Sequence, residues 1–213
     1  MAVLVHELWH SRDQMVWEAA LERYWEFIQP RNLELERAME RLDRDQIRRL
    51  GPDEWFRFLC DEYFRWKYTA PNRYATTTAR LKRLGADAAG LAALFAIKER
   101  LLGLDPANAG SALAIAKAIP GLGTAGASGL LALLYPGALA TVDQFVVKAL
   151  RGVPDLPESA SVMAMHPEDL RAKDAVLLIG IMRRQSRELN ASFGTKSWTP
   201  RAVDKVLWTY GRA

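Results

Sequence analysis

The sequence predicts an all-α protein. Apolar residues recur three and four positions apart along most of its 213 residues, which is the spacing of one helix face. Residue pairs that start or end helices, such as Gly51-Pro52 and Thr199-Pro200, separate these runs. No stretch alternates β-branched and polar residues between turn signals, so strands are not expected.

Three helices are predicted in the first third of the chain. The first should end before Pro30 and carries its apolar residues on one face: Trp17, Ala20, Leu21, Tyr24, Trp25 and Ile28. The second runs from Leu33 to Leu50, and an interruption near Asp43 is left open. The third is expected to begin at Asp53, as the N-cap, and to extend to Trp66.

Helical patterns with short connections continue to the C-terminus, which favours a compact bundle. A Pro-Asn turn and a basic helix are predicted over 68–83, and further helices over 87–102, 108–118, 124–134, 142–151, 167–190 and after Thr199-Pro200. We divide the chain into an N-terminal helical region (1–67), a central region (68–197) with a helical hairpin at 111–134, and a C-terminal helix (198–213) that packs on the bundle.

Composition limits the kinds of protein that the chain can be. Half of the residues are hydrophobic and a quarter are charged, which excludes intrinsic disorder and supports a packed core. The single cysteine, Cys60, cannot form an internal disulfide or a thiolate cluster, and we expect no cofactor. His6, His10 and His166 show no metal-ligand spacing, so no metal site is predicted. The first residues lack a basic segment, so no secretory signal and a cytoplasmic location are expected.

Charge is distributed unevenly along the chain. Residues 1–64 hold 14 acidic and nine basic residues, whereas 65–100 hold eight basic and two acidic ones. Residues 144–213 hold 11 basic and seven acidic residues. The two basic segments make nucleic acid a candidate partner. The uncharged run 118–142 is broken by two prolines and five glycines, so it is not expected to span a membrane.

The most specific pattern is Ile119-Pro120-Gly121-Leu122-Gly123-Thr124, between two helical runs. Pro120 ends the first helix, and the glycines permit a tight turn with exposed amides. Because the second helix starts near Thr124, its free N–H groups and positive end should form a backbone site for a phosphate oxygen. The alternative is a plain helical corner whose glycines serve close packing.

This order of residues resembles the hairpin of the helix-hairpin-helix DNA-binding motif. The segment from Thr141 to Leu150 resembles the part of the helix-hairpin-helix DNA glycosylase superfamily in which a catalytic aspartate begins a helix downstream of the hairpin. The resemblance covers Ala118 to Leu150, and residues 198–212 resemble the ending of bacterial proteins of the 8-oxoguanine glycosylase fold. It implies a glycosylase-like helical bundle, damaged double-stranded DNA as the partner, and Asp143 as the catalytic residue.

The resemblance also implies a set of DNA-binding residues, and the chain departs from the family at several points. The set is Gly121, Leu122, Gly123, Thr124, Ala125 and Gly126 of the hairpin, with Lys117 and Lys148 beside it, although either lysine could be an ordinary solvated helix residue. Bifunctional members carry a lysine where this chain has Ala125, so a monofunctional enzyme is implied. The four cysteines of iron–sulfur members are absent.

Asp143 is also a candidate on its own properties. It is the only carboxylate between Asp105 and Asp155, and it precedes a helical pattern. Cleavage of an N-glycosidic bond builds positive charge on the sugar, which an ionised carboxylate stabilises. The alternative is an N-cap aspartate that contributes about 1 kcal/mol to folding.

Aromatic and turn residues supply further candidates. Trp198, Trp208 and Tyr210 could stack on an extruded base, although seven tryptophans in a small helical protein also suit a core. Asn72 and Arg73 could probe a duplex, with capping as the alternative for Asn72. The resemblance therefore implies a monofunctional DNA glycosylase, and the alternative is a non-catalytic DNA-binding or scaffold protein in which Asp143 only caps a helix.

Overall fold

The computed structural model describes residues 4–212, and in this range it contains helices and no β-strand. The prediction of an all-α protein is confirmed. The helices are α1 Val5–His10, α2 Gln14–Glu26, α3 Leu33–Glu40, α4 Arg44–Arg49, α5 Pro52–Arg57, α6 Phe64–Lys67, α7 Pro71–Leu84, α8 Ala88–Leu102, α9 Ala109–Ala116, α10 Thr124–Leu134, α11 Gln144–Arg151, α12 Ser159–Met163, α13 Ala172–Phe193 and α14 Pro200–Arg212. A 3₁₀ turn at Pro30–Asn32 precedes α3, and a π-helical segment, Phe58–Tyr63, joins α5 to α6.

The chain forms two compact units. The terminal unit combines Met1–Ile28 with Tyr135–Ala213, and the inner unit is Gln29–Leu134. Their boundaries differ from those of the three regions drawn from the sequence, because helices from both ends of the chain pack in one unit.

Local signals placed most helix ends correctly. Asp43 separates α3 from α4 and caps α4, since its Oδ1 accepts a hydrogen bond from the amide of Asp45 at 2.9 Å. Thr199 caps α14 through its Oγ1, which accepts from the amide of Ala202 at 3.1 Å. Asp87 and Asn108 cap α8 and α9 in the same way.

Two predicted caps are wrong, and a proline explains both. Pro52 is the first residue of α5, so the N-cap is Gly51, whose amide donates to Glu54 Oε2 at 2.8 Å, and Asp53 lies inside the first turn. Similarly, Pro71 begins α7, which leaves Asn72 inside the helix rather than at its cap. In both helices, the proline at the first helical position makes the helix begin before the residue that was predicted as its cap.

The inner unit has an aromatic core that includes one buried cation. Trp55, Tyr63 and Phe64 are fully buried, and the Trp55 indole donates to the carbonyl of Leu94 at 3.2 Å. Lys98 is only 1% exposed, and its ammonium donates to the carbonyl oxygens of Arg48 and Leu50 at 3.1 and 2.6 Å. It therefore binds the carbonyl end of α4, where a positive charge is favoured.

The terminal unit is built around α14, which packs against α2, α11 and α13. The buried residues of α13 and α14 include Leu178, Met182, Val203 and Val206. Helix α13 begins at Ala172, later than the predicted residue 167, because the Asp174 carboxylate accepts from the Arg171 amide at 2.9 Å and closes the first turn there. Within residues 4–212, none of the helices combines the length and the apolar character needed to cross a membrane.

Two helical glycines should respond to alanine in opposite ways. A Cβ at Gly180 in α13 would meet no other atom within 4 Å, so Gly180→Ala should stabilise the protein by roughly 0.5–1 kcal/mol. A Cβ at Gly90 in α8 would overlap the carbonyl oxygen of Leu84, so Gly90→Ala should destabilise it by about 1–3 kcal/mol. Urea unfolding of both variants measures the two effects, and a stable Gly90→Ala variant would contradict this account of the α7–α8 corner.

Candidate nucleic-acid interface

The predicted hairpin joins α9 to α10 in the inner unit. Helix α9 ends at Ala116, α10 begins at Thr124 as expected, and the Leu122 amide donates to the carbonyl of Ile119 at 3.1 Å between them. Gly121 has a φ of +95°, a conformation that favours glycine. The tight turn predicted from the two glycines is therefore present.

The hairpin glycines have different reasons to be glycine. A Cβ at Gly121 would lie 2.6 Å from the carbonyl oxygen of Thr77, and one at Gly126 would lie 2.5 Å from the hydroxyl of Tyr68. A Cβ at Gly123 would meet nothing within 4 Å, and Gly123 is exposed. Close packing therefore explains the glycines at Gly121 and Gly126. It does not explain Gly123, where the absence of a side chain leaves the local backbone exposed.

Two tyrosine hydroxyls fix the carbonyl side of the hairpin. The Tyr68 hydroxyl donates to the carbonyl of Gly121 at 3.1 Å, and the Tyr63 hydroxyl donates to the carbonyl of Gly126. The first amides of a helix lack an acceptor one turn earlier, and α10 closes its first turn only with Ala127, whose amide donates to Gly123 at 2.8 Å. Because Thr124 and Gly126 are buried, the open part of this amide-rich turn is centred on Gly123 and Ala125.

Helix α7 places positive charge beside the hairpin. The approach of Thr77 to Gly121 brings one face of α7 against the turn, and Arg73 and Arg80 share that face because they lie four residues before and three residues after Thr77. Both arginines are exposed. Burial raises the pKa of the Tyr68 hydroxyl, and the charge of Arg73 opposes that rise. Sequence reasoning named Arg73 and missed Arg80, because the contact with Gly121 was needed to select this face.

The two predicted phosphate-binding lysines lie in different units. Lys117 is the exposed C-cap of α9, directly before the hairpin. Lys148 is exposed on α11 of the terminal unit, and its ammonium lies 5.4 Å from the centroid of the Phe145 ring. Ala125, at the position of the lysine in bifunctional glycosylases, is half-buried in the first turn of α10.

Asp143 is the N-cap of α11, as expected. Its Oδ1 accepts hydrogen bonds from the amides of Phe145 and Val146 at 2.9 and 3.2 Å, and the residue is half-buried. No hydrogen bond among the described residues engages its second carboxylate oxygen. The carboxylate is thus oriented by the helix and keeps one oxygen available.

A buried ion pair fixes the backbone that leads to Asp143. Arg201 Nη1 lies 2.8 Å from Asp204 Oδ1, and their side chains are 8% and 2% exposed. The same pair holds Thr141, whose amide donates to Asp204 at 2.6 Å and whose hydroxyl accepts from Arg201 at 3.1 Å. Further upstream, Arg183 Nε donates to the carbonyl of Ala138 at 2.6 Å. Sequence reasoning missed these residues, because nothing local to α13 or α14 indicates which loop they hold.

The three candidate stacking residues have different surroundings in the terminal unit. Trp198 is 5% exposed, and its ring centroid lies 5.5 Å from that of Trp17. It is therefore a core residue, and its ring is not accessible for stacking on an extruded base. Trp208 is half-buried, with its ring 5.9 Å from that of Phe145. Tyr210 is half-buried beneath the Arg23 guanidinium at 5.6 Å.

Helix α14 meets α11 at the residues that follow Asp143. A Cβ at Gly211 would overlap the carbonyl oxygen of Phe145, so the two helices approach at their backbones. The Arg212 guanidinium lies 4.8 Å from the Trp208 ring. The terminal unit therefore gathers Asp143, Phe145, Trp208 and a cation at one end of α11.

Comparisons of the chain with protein-family models, with curated proteins and with solved structures found no match. The resemblance to helix-hairpin-helix glycosylases therefore rests on the sequence of two segments, Ala118 to Leu150 and residues 198–212.

The buried pair gives a direct stability prediction. Asp204→Ala removes the carboxylate that faces the buried Arg201 charge and accepts from the Thr141 amide, so it should lower the free energy of unfolding by about 3–5 kcal/mol. The double variant Arg201→Met/Asp204→Leu removes both charges and should recover a large part of that loss. Denaturant unfolding measures both, and equal losses in the single and double variants would contradict the coupling.

Proposed function

We propose that the chain binds double-stranded DNA through the hairpin and releases a damaged base by hydrolysis of its N-glycosidic bond, with Asp143 as the catalytic carboxylate. The observation that carries the proposal is Gly123. This residue is exposed, and its surroundings would accept a larger side chain, so packing does not explain the glycine. It directly precedes α10, whose first backbone amides have no acceptor within the helix.

The inner unit supplies the groups that a DNA phosphate needs. A phosphate oxygen is an acceptor, and the amides at the start of α10 are donors at the positive end of a helix. Arg73 and Arg80 on α7 and Lys117, the C-cap of α9, add exposed positive charge in the same unit. Contacts of this kind bind the DNA backbone without reading its sequence, which suits a protein that must search for damage.

The terminal unit supplies a carboxylate suited to the bond-breaking step. When the N-glycosidic bond breaks, the base leaves with its bonding electrons, and the sugar acquires oxocarbenium character. The oxygen of Asp143 that is not used for capping can stabilise this charge or orient the attacking water. The hydroxyl of the water then bonds to the sugar carbon, and its proton passes to the departing base. Phe145 and Trp208, half-buried near Asp143, offer aromatic faces for an extruded base.

The alternative is a DNA-binding protein without base release. Both hydrogen bonds of Asp143 are those of an ordinary N-cap, and they explain this residue without any chemistry. DNA binding is common to the two hypotheses, so only the chemical step separates them.

Gly123→Ala should weaken binding to duplex DNA by about tenfold, or about 1.4 kcal/mol, because a methyl group would hold a phosphate away from the amides. Fluorescence anisotropy with a duplex containing an abasic site measures the affinity. Gly137→Ala is the matched control, since Gly137 is also exposed with open space for a Cβ, and it should bind as the unaltered protein does.

Salt dependence distinguishes phosphate contacts from other binding. With roughly three to five phosphates contacted, the logarithm of the binding constant should fall against the logarithm of salt concentration with a slope of about −3 to −5. Affinity that is insensitive to salt and unchanged in Gly123→Ala would exclude the hairpin as the binding site.

Asp143→Asn should abolish base release and keep DNA affinity, because asparagine caps helices as well as aspartate does but carries no charge. Excision from duplexes with oxidised, alkylated or deaminated bases provides the assay. Asp13→Asn, at the N-cap of α2, is the matched control and should retain activity. If the unaltered protein releases no base from any of these duplexes, the non-catalytic alternative stands.

Borohydride should trap no covalent protein–DNA adduct, because Ala125 offers no amine for a Schiff base with the sugar. Strand nicking should then appear only after alkaline treatment of the abasic product, as seen on a denaturing gel. A trapped adduct that disappears in Lys148→Ala would instead identify Lys148 as the nucleophile.

A further inference from the structure

Three metal-ligating side chains meet on the surface of the terminal unit. His6 Nδ1 lies 3.4 Å from Asp155 Oδ1, and His10 Nε2 lies 2.9 Å from Asp155 Oδ2. One ligand atom from each of the three residues falls within 4.8 Å of the others. Their side chains are 47, 49 and 52% exposed, so an ion from solution can reach them.

Backbone packing holds this cluster in place. The opposite face of α1 is buried through Leu8 and Trp9, and Gln185 Nε2 donates to the carbonyl of Trp9 at 3.2 Å. A Cβ at Gly152 would lie 2.5 Å from Val5 Cγ1, so α1 packs directly on the turn that precedes Asp155. The three side chains are therefore close together because of the way α1 packs, as well as because of their rotamers.

The donor set and its spacing suit a first-row transition ion. His6 and His10 lie one turn apart on the same face of α1, and their rings are 4.7 Å apart. Ligands at 2.0–2.1 Å from a tetrahedral zinc ion stand about 3.4 Å from one another, which a small adjustment of these side chains provides. Two imidazoles and one carboxylate favour zinc over calcium or magnesium, which prefer all-oxygen sites.

We propose that His6, His10 and Asp155 bind one zinc ion, with the remaining coordination position open to solvent. The ion would join α1 to the turn at residues 152–155 and tie the N-terminal helix to the rest of the terminal unit. The histidine spacing alone predicted no metal site, because the third ligand, Asp155, lies 145 residues after His10 in the sequence.

Cys60 does not compete for the metal ion. It is buried in the inner unit, and burial raises the pKa of its thiol to about 11, which disfavours the thiolate that zinc requires. His166 is exposed outside the cluster and provides a matched control for loss of one imidazole.

The test is calorimetric titration of zinc sulfate into the untagged, chelator-treated full chain. One zinc should bind per chain, and His6→Ala, His10→Ala and Asp155→Asn should each weaken binding by about tenfold or more, since each removes one ligand. His166→Ala and Cys60→Ser should bind as the unaltered protein does. Zinc should also slow amide hydrogen exchange in residues 5–10 of the unaltered chain and leave that exchange unchanged in His10→Ala.

The proposal is wrong if the chain binds no zinc, or if binding is equal in the unaltered protein and in all three cluster variants. It is equally wrong if His166→Ala or Cys60→Ser removes the bound zinc. All three substitutions in the cluster are at exposed positions, so loss of folding does not obscure the outcome.

Discussion

The candidate site of the terminal unit depends on the buried ion pair between Arg201 and Asp204. A buried pair gains stability from hydrogen bonds to its remaining polar groups, and Thr141 contributes both an amide and a hydroxyl to it. The pair thereby attaches α14 to the backbone two residues before Asp143. Two residues after Asp143, Phe145 meets Gly211 at the other end of α14. One helix therefore holds the start of α11 from both sides.

In the inner unit, one part of the hairpin is packed against neighbouring residues and another part is exposed. The carbonyls of Gly121 and Gly126 accept from tyrosine hydroxyls, and both glycines are needed for close contacts. Gly123 takes part in neither function. The turn is thus supported from its carbonyl side, while Gly123 stays exposed, and α7, which packs on the turn at Gly121, carries the exposed Arg73 and Arg80. A rigid turn with one open edge is what a backbone-binding site requires, since the donors need no reorganisation when a phosphate arrives.

Helix caps and helix bounds, which depend on interactions between residues close in sequence, were the most predictable features of the structure. The caps Asp143, Thr199 and Asp87 follow from a side chain that accepts from amides two or three positions later. The bounds of α10 follow from the glycines and prolines that flank it. The errors at Asp53 and Asn72 have the same local origin, since each follows a proline that occupies the first helical position. Trp198 shows the limit of such reasoning: its burial against Trp17 depends on α2, which lies far away in the sequence.

The sequence by itself determined the all-α class, most helix ends, the glycine turn and the aspartate at the start of α11. These features arise from backbone hydrogen bonding and steric effects within one helical turn, so the neighbouring residues contain the information. The tertiary structure alone decided that the chain ends share a unit, that α7 packs on the hairpin at Gly121, that Arg201 and Asp204 hold Thr141, and that Asp155 joins His6 and His10. Each of these depends on which helix faces pack together, and hydrophobic periodicity identifies a buried face without identifying its partner.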